Sequence, residues 1–369
     1  MQPLLQGRMM TRIVLAGGGT GGHTVAARVI GDVARSEGFD TVWVGRPTSF
    51  EERVAAESGH RFIAAEMARP TASMSYLRVL RRVRSVLRDI RPDLVVATGG
   101  WVGAPVALAA VSLRIPLVCH EQTLIPGRAT SLLSLFARST WLTFPGAAAH
   151  LRWPRSTVVT GFPLRGELRE QCSAEKASAL LGISRTAPML FVAGGGGGAE
   201  SLNRFVADNL PTLLADWQIV HQAGGGSGLT TTAEALERLR DELPGRLRDR
   251  YVVAAYLNAG QVNAALRRAD LVLGRSGAGF VNEVLELRAP AVFVPYPHAR
   301  NDEQTALARE AMNTGAGVAI WPDHDVATQP DRLIAELRKR AYLRESHYRA
   351  GSTGVADRTI AEALRAVLR

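Results

Sequence analysis

Cysteine is nearly absent from this chain of 369 residues: Cys119 and Cys172 stand alone. Two thiols so far apart form neither a disulfide framework nor a metal-ligand spacing, which fits a reducing, cytoplasmic setting. Lysine is as scarce, at Lys176 and Lys339 only, so arginine carries the formal charge of +10. No run of about 18 apolar residues escapes a charge or a proline, so no helical membrane span is expected. The N-terminal stretch, Met1 to Thr11, has no sustained apolar region, so no signal peptide is expected either. No acidic residue ends the second expected strand, where Val44-Gly45-Arg46 stands. A nicotinamide-dinucleotide site places a carboxylate there for ribose, so that cofactor is disfavoured. No acidic metal-binding pair is evident, and no nucleic-acid partner is expected. The arginine-rich charge keeps two readings, genome composition or a surface field that draws phosphates.

What is present is organised around Ala16-Gly17-Gly18-Gly19-Thr20-Gly21-Gly22-His23. It follows the apolar run 12–16 and precedes the helical pattern 25–30. A strand, a glycine turn and a helix start aim backbone N–H groups at an anion or polar ligand. The bare spacing Gly17-x-Gly19-x-x-Gly22 fits a dinucleotide loop, but the extra glycines and the closing histidine do not. Apolar residues at 46% suffice for globular cores, and the length predicts two domains.

Strand and helix patterns alternate throughout. Expected strands are 12–16, 41–44, 62–64, 94–97, 116–119 and 157–160. After a Gly161-Phe162-Pro163 hinge they continue at 189–193, 218–222, 251–255, 271–273 and 291–294. The class is therefore α/β, with two doubly wound, Rossmann-like parallel sheets facing a cleft. Ligands of such sheets bind at the C-terminal strand edge. A basic amphipathic segment, 74–91, reads either as a surface helix or as a dock for anionic lipid. Further glycine loops follow strands at Gly194–Gly198 and 223–228. His120-Glu121-Gln122 and Gly99-Gly100-Trp101 fall on the same edge as His23. In the second half, Arg275-Ser276-Gly277-Ala278-Gly279 opens a helix that could hold a diphosphate, with Glu283 placed for ribose hydroxyls. Asn301-Asp302-Glu303-Gln304 supplies adjacent carboxylate and amide groups that suit a sugar.

Taken in order, Gly18–His23, Gly99-Gly100, His120-Glu121-Gln122, Gly161–Arg165, Gly194–Gly198 with Ala199 and Asn203, Arg275–Ala278, Glu283 and Glu303-Gln304 resemble the MurG family. That family transfers N-acetylglucosamine from UDP to a lipid-linked peptidoglycan precursor. The resemblance runs from about Ile13 to Gly315 and implies the glycosyltransferase B architecture, inverting and metal-independent. It implies an acceptor-binding domain, 1–162, and a UDP-sugar domain, 163–354, with the terminal helix 355–369 packing back on the first. Acceptor contacts would be Gly19, Thr20, Gly21, Gly22, Trp101, His120 and Gln122. The diphosphate would meet Ser276, Gly277 and the loop from Gly194 through Gly195, Gly196 and Gly197 to Gly198, with Arg275, Ala278 and Gly279 also in the donor site. Glu283 would bind ribose, and Glu303 with Gln304 the sugar. Arg165, Asn203 and Leu257 would line the donor site, Leu257 near uracil.

The chain departs from the family pattern at several places. Gly196 and Gly197 stand where serine and glutamine are usual, Trp101 where tyrosine is, and Thr123 and Leu307 where asparagine is. These changes admit a paralogue serving a phosphoglycolipid antibiotic of the moenomycin type. A UDP-sugar epimerase or an inactive UDP-sugar-binding subunit shares the same fold expectation. For transfer with inversion, a base must take the acceptor proton. His23 is the first candidate, because the helix N-terminus disfavours its cationic form, and Glu121 is the second. The expected partners are a UDP-sugar, a lipid- or phosphate-linked acceptor and an anionic membrane surface, with peripheral attachment to the inner face of the cell membrane.

Overall fold

The computed structural model describes residues 10–19, 21–67, 73–152, 154–162, 164–225, 230–313, 317–341 and 355–369. The chain divides into two compact units. The first is Met1–Leu164 with Gly354–Arg369, and the second is Arg165–Thr353.

The first unit is built on seven parallel strands: β1 (Arg12–Gly17), β2 (Asp40–Gly45), β3 (Arg61–Ala64), β4 (Leu94–Gly99), β5 (Leu117–Glu121), β6 (Ser139–Leu142) and β7 (Thr157–Val159). Their order across the sheet is β3-β2-β1-β4-β5-β6-β7. The central strands are near-continuous apolar runs because both faces are covered. Ile13, Leu15, Trp43, Leu94 and Val96 pack on one face with α1 (Gly21–Ser36), α2 (Phe50–Glu57) and the terminal helix Val355–Leu368. Val14, Val42, Val44 and Val95 pack on the other with α3 (Ser73–Ile90), α4 (Gly100–Ser112) and α5 (Arg128–Leu133). Ile360 and Leu364 of the terminal helix are fully buried. Strand β6 was not among the strands expected from the sequence. It opens with Ser139-Thr140, which read as polar although both are buried.

The second unit has six parallel strands: β8 (Met189–Ala193), β9 (Gln218–Gln222), β10 (Tyr251–Ala254), β11 (Leu271–Gly274), β12 (Ala291–Phe293) and β13 (Val318–Ile320). Their order is β10-β9-β8-β11-β12-β13. The three-residue β13 was also not expected from the sequence. Strand order reverses between β1 and β4 in one unit and between β8 and β11 in the other. Such switch points leave a crevice at the C-terminal strand ends. In both units the glycine loops singled out in the sequence leave the sheet there.

Candidate active site

In the first unit the pairing of β1 with β4 slips between Ala16 and Gly17, which bends the chain out of the sheet at the start of the loop. Helix α1 begins at Gly21 and carries His23 in its first turn. Close packing accounts for the flanking glycines. A Cβ on Gly18 would lie 2.7 Å from the Glu51 carboxyl carbon, and one on Gly19 2.7 Å from Trp101 Nε1. Gly99 and Gly100, at φ +96 and +73, lay their backbone against the His23 ring, where a Cβ on either would stand 3.0 Å from ring atoms. Their left-handed conformation and this approach both require glycine.

His23 Nδ1 lies 2.8 Å from the Thr98 carbonyl and 2.8 Å from Gln122 Oε1. Thr98 Oγ1 donates to the His23 carbonyl at 2.7 Å. Gln122 Nε2 faces the Thr98 carbonyl, the His120 carbonyl and His120 Nδ1, at 2.9, 2.9 and 2.8 Å. His120 is fully buried, and burial pushes its pKa down to about 4; the Gly161 backbone opposes the shift and His23 adds slightly to it.

Three of the expected site residues are buried. Gln122 and His120, expected as acceptor contacts, lie inside the unit. Glu121, the second candidate base, is buried as well. Its Oε1 accepts from the Thr123 backbone and hydroxyl, and its Oε2 from the Gly127 N–H, so it fixes the 121–127 loop. Gly21 and Gly22 are solvent-accessible with open space around them. Trp101 is half-buried, with the Arg46 guanidinium 4.6 Å over its ring. Thr20 lies outside the described residues. Thr98, Arg46 and Glu51 were missed in the sequence. Glu51 is a fully buried carboxylate on α2, whose start is capped by Ser49, and its ion pair with Arg46 at 2.9 Å lies against Gly18. A charged residue beside a cap reads as a solvated helix start, so nothing in the sequence signalled its burial.

In the second unit, Gly195, Gly196 and Gly197 are exposed, with no atom within 4 Å of a Cβ placed on any of them. Gly198 is half-buried under the next loop: a Cβ on Gly224 would stand 2.1 Å from Gly198 N. Asn203 is fully buried and braces that next loop. Its Nδ2 donates to the Ala223 and Thr231 carbonyls at 3.1 and 2.8 Å. Its Oδ1 meets His221 Nε2 at 3.1 Å, and His221 Nδ1 meets the Tyr251 hydroxyl at 2.9 Å. Burial pushes the His221 pKa down to about 3.

Gly277 caps the helix Ala278–Glu286 with no side-chain hydrogen bond, and Gly277, Ala278 and Gly279 are half-exposed; the first-turn N–H groups have no partner within the helix. Ser276 is different: it is fully buried and its hydroxyl donates to the Gln304 carbonyl at 2.8 Å. Arg275 is engaged by the Val294 and Pro295 carbonyls, Ser201 Oγ and Asp323, the last at 2.6 Å. Its guanidinium ties β11 to its neighbours. Arg165 Nε and Nη2 both donate to Glu283 Oε1, at 3.1 and 2.7 Å, and both side chains are largely buried. Gln304 Oε1 accepts from the Tyr296 N–H at 2.9 Å; Glu303 opens the same helix and is half-buried. Leu257 is buried just past β10, beside exposed Tyr256.

Comparison with known proteins matches residues 13–141 to the glycosyltransferase family 28 N-terminal domain and residues 189–363 to the family 28 C-terminal domain. Curated relatives named UDP-N-acetylglucosamine–N-acetylmuramyl-(pentapeptide) pyrophosphoryl-undecaprenol N-acetylglucosamine transferase include one from Desulforudis audaxviator. It is 35% identical, over 94% of this chain and 96% of its own. One from Cutibacterium acnes is 34% identical over 89% of each. Among solved structures, MurG of Acinetobacter baumannii superposes with a TM-score of 0.68 at 24% identity, covering 96% of this chain and 99% of its own. A UDP-GlcNAc 2-epimerase from Neisseria meningitidis reaches 0.65 at 13% identity, covering 97% and 98%. These structural likenesses speak to the two-sheet fold.

Proposed function

This chain belongs to glycosyltransferase family 28, and from that premise we propose that it moves N-acetylglucosamine from UDP to a lipid-linked pyrophosphoryl acceptor, as its curated MurG relatives are named for doing. The observation that carries the reading is the placement of His23. The ring is clamped between a glycine loop and the Gly99-Gly100 backbone, with one nitrogen engaged and the other turned away from those partners. In the reaction, the free nitrogen takes the proton of the acceptor hydroxyl. That oxygen bonds to the anomeric carbon while the bond to the β-phosphate oxygen breaks, and UDP leaves with the electron pair from the opposite face.

In the second unit, N–H groups of Gly277, Ala278 and Gly279 and of the 195–198 loop receive the diphosphate without a metal. Arg165 holds one oxygen of Glu283 and orients the carboxylate toward the ribose hydroxyls. Gln304, with its oxygen engaged by Tyr296, donates to the sugar through its amino group, and Glu303 accepts. Arg275, Ser276 and Asn203 support these loops from behind.

The first unit also has the character of a membrane-facing body. By sequence it holds 22 basic and 12 acidic residues, whereas the second unit is balanced at 22 of each. On the sheet face carrying α3 to α5, Leu77 is 50% exposed on a helix that also exposes Arg78, Arg81, Arg82 and Arg88, and Leu132 and Phe136 are 54% and 49% exposed. Apolar side chains in a basic surround suit an anionic lipid surface that would present the acceptor. No helix among the described residues is long and apolar enough to cross a membrane.

The test is incubation with UDP-N-acetylglucosamine and undecaprenyl-pyrophosphoryl-N-acetylmuramyl-pentapeptide, read by mass spectrometry. The expected result is one added N-acetylhexosamine, with UDP released only when acceptor is present. Conversion of the nucleotide sugar to an epimer without acceptor, or binding with no turnover, would overturn the proposal.

A further inference from the structure

We propose that Gln122 is a positioning residue that holds His23 with its proton on Nδ1, so that Nε2 is the proton acceptor; the proposal rests on the reading of His23 as the base. The argument starts from the amide. One end of Gln122 stands 2.9 Å from two backbone carbonyl oxygens, those of Thr98 and His120. Two acceptors can be met only by a donor, so that end is the NH₂. The other end is then the oxygen, and it faces His23 Nδ1 at 2.8 Å. The Thr98 carbonyl also faces Nδ1, at 2.8 Å. A ring nitrogen between two oxygens must carry the hydrogen, which leaves the lone pair on Nε2.

The same logic fixes His120. Its Nδ1 lies 2.8 Å from the Gln122 NH₂, whose two hydrogens are shared among this nitrogen and the two carbonyls, so Nδ1 is an acceptor and the ring hydrogen is on Nε2. Full burial keeps this imidazole neutral and able to accept. A protonated His120 would offer Gln122 a donor where it needs an acceptor and would press the amide to rotate. The chain of dependence therefore runs from His120 through Gln122 to His23, entirely inside the first unit. Gln122 is 1% exposed with both ends of its amide satisfied by protein groups, so it has nothing left to offer a substrate. As Nε2 takes the acceptor proton, the Nδ1–H becomes the donor of an imidazolium, and two oxygens already stand on it. Hydrogen bonds to charged groups are the strong kind, so the pair stabilises the transition state more than the resting ring.

The experiment has two arms. Long-range ¹H–¹⁵N spectra of the full chain labelled at histidine, with His23→Gln to assign the signal, should show His23 protonated at Nδ1 and bare at Nε2. The reverse tautomer would overturn the proposal. In the second arm, Gln122→Met should lower kcat by about 10–100-fold, the worth of one hydrogen bond to a developing cation, with acceptor KM unchanged. Gln122→Glu, which keeps an oxygen on Nδ1 and as a neutral acid can still donate to Thr98, should recover most of that loss. A raised acceptor KM with kcat retained in Gln122→Met would make Gln122 a substrate contact and end the argument. If the wild-type chain transfers no sugar, the functional reading fails, and the tautomer spectrum still decides the assignment.

Discussion

Replacing His23 with alanine separates the chemistry of the first unit from its architecture. The change removes Nε2, and with it the acceptor for the proton released in transfer. Loss of a general base lowers kcat by about 10²–10⁴-fold, or about 3–5 kcal/mol of transition-state stabilisation. It also strips Gln122 Oε1 of its donor inside the fold. A buried acceptor left unsatisfied costs about 1–3 kcal/mol. The Thr98 carbonyl escapes that cost, because Gln122 Nε2 still donates to it. The variant should therefore fold, melt at a lower temperature, and bind UDP as the wild type does, since the residues read as the nucleotide site belong to the other unit. Steady-state transfer with a coupled UDP assay measures the first effect, a thermal melt the second and calorimetry the third. If kcat stays within about threefold of wild type while acceptor KM rises, His23 binds the acceptor and is not the base.

In the second unit, Glu283→Ala should weaken UDP binding by about 1–3 kcal/mol, because it removes charge-assisted hydrogen bonds to ribose and frees Arg165 from its partner. Calorimetry giving unchanged affinity would remove Glu283 from the site, and strict magnesium dependence of UDP binding, tested with EDTA, would remove the metal-free diphosphate reading. The basic face of the first unit should hold the protein on liposomes with acidic headgroups at low salt and release it at high salt. Equal retention on neutral liposomes would leave α3 an ordinary surface helix. Stability should fall in acid through His120 and His221, whose pKa values are depressed to about 4 and about 3 by burial. Below pH 6.5 the unfolded chain binds protons that these buried rings refuse, so the stabilisation is complete above 6.5 and is lost as pH falls toward the folded values. At pH 5 each histidine should have removed about 2 kcal/mol. Matching urea midpoints at pH 7 and pH 5 would show that neither ring is held neutral.

The sequence made the frame readable because the frame depends on local pattern. Runs such as Ile13-Val14-Leu15 and Leu94-Val95-Val96 are apolar on both faces, and glycine loops follow them at the strand ends. Strand β6 escaped because burial of Ser139 and Thr140 is decided by neighbouring elements, not by their own polarity. The same limit governs the site. Gln122, Asn203, Ser276 and Arg275 have the chemistry of ligand contacts and fall at the expected strand ends, yet the fold turns each toward its own loops. What distinguishes a side chain that meets substrate from one that braces the loop is direction, and composition carries no direction.

The bracing follows one pattern in both units. The C-terminal strand ends and the loops that leave them carry backbone carbonyls that need N–H donors. An amide side chain supplies two donors and keeps one acceptor, so Gln122 meets Thr98 and His120 while Asn203 meets Ala223 and Thr231. An amide can also rotate end for end, which would undo the arrangement, and a histidine opposes that in each case. His120 accepts from Gln122, whereas His221 Nε2 donates to Asn203 and takes the Tyr251 hydroxyl on Nδ1. Each histidine does so in a fixed neutral tautomer, which its burial preserves. A second proton on His120 would set donor against donor, whereas one on His221 would only turn the Tyr251 hydroxyl from donor to acceptor. Acid should then loosen the loop braced by Gln122 over the same pH range in which it costs stability.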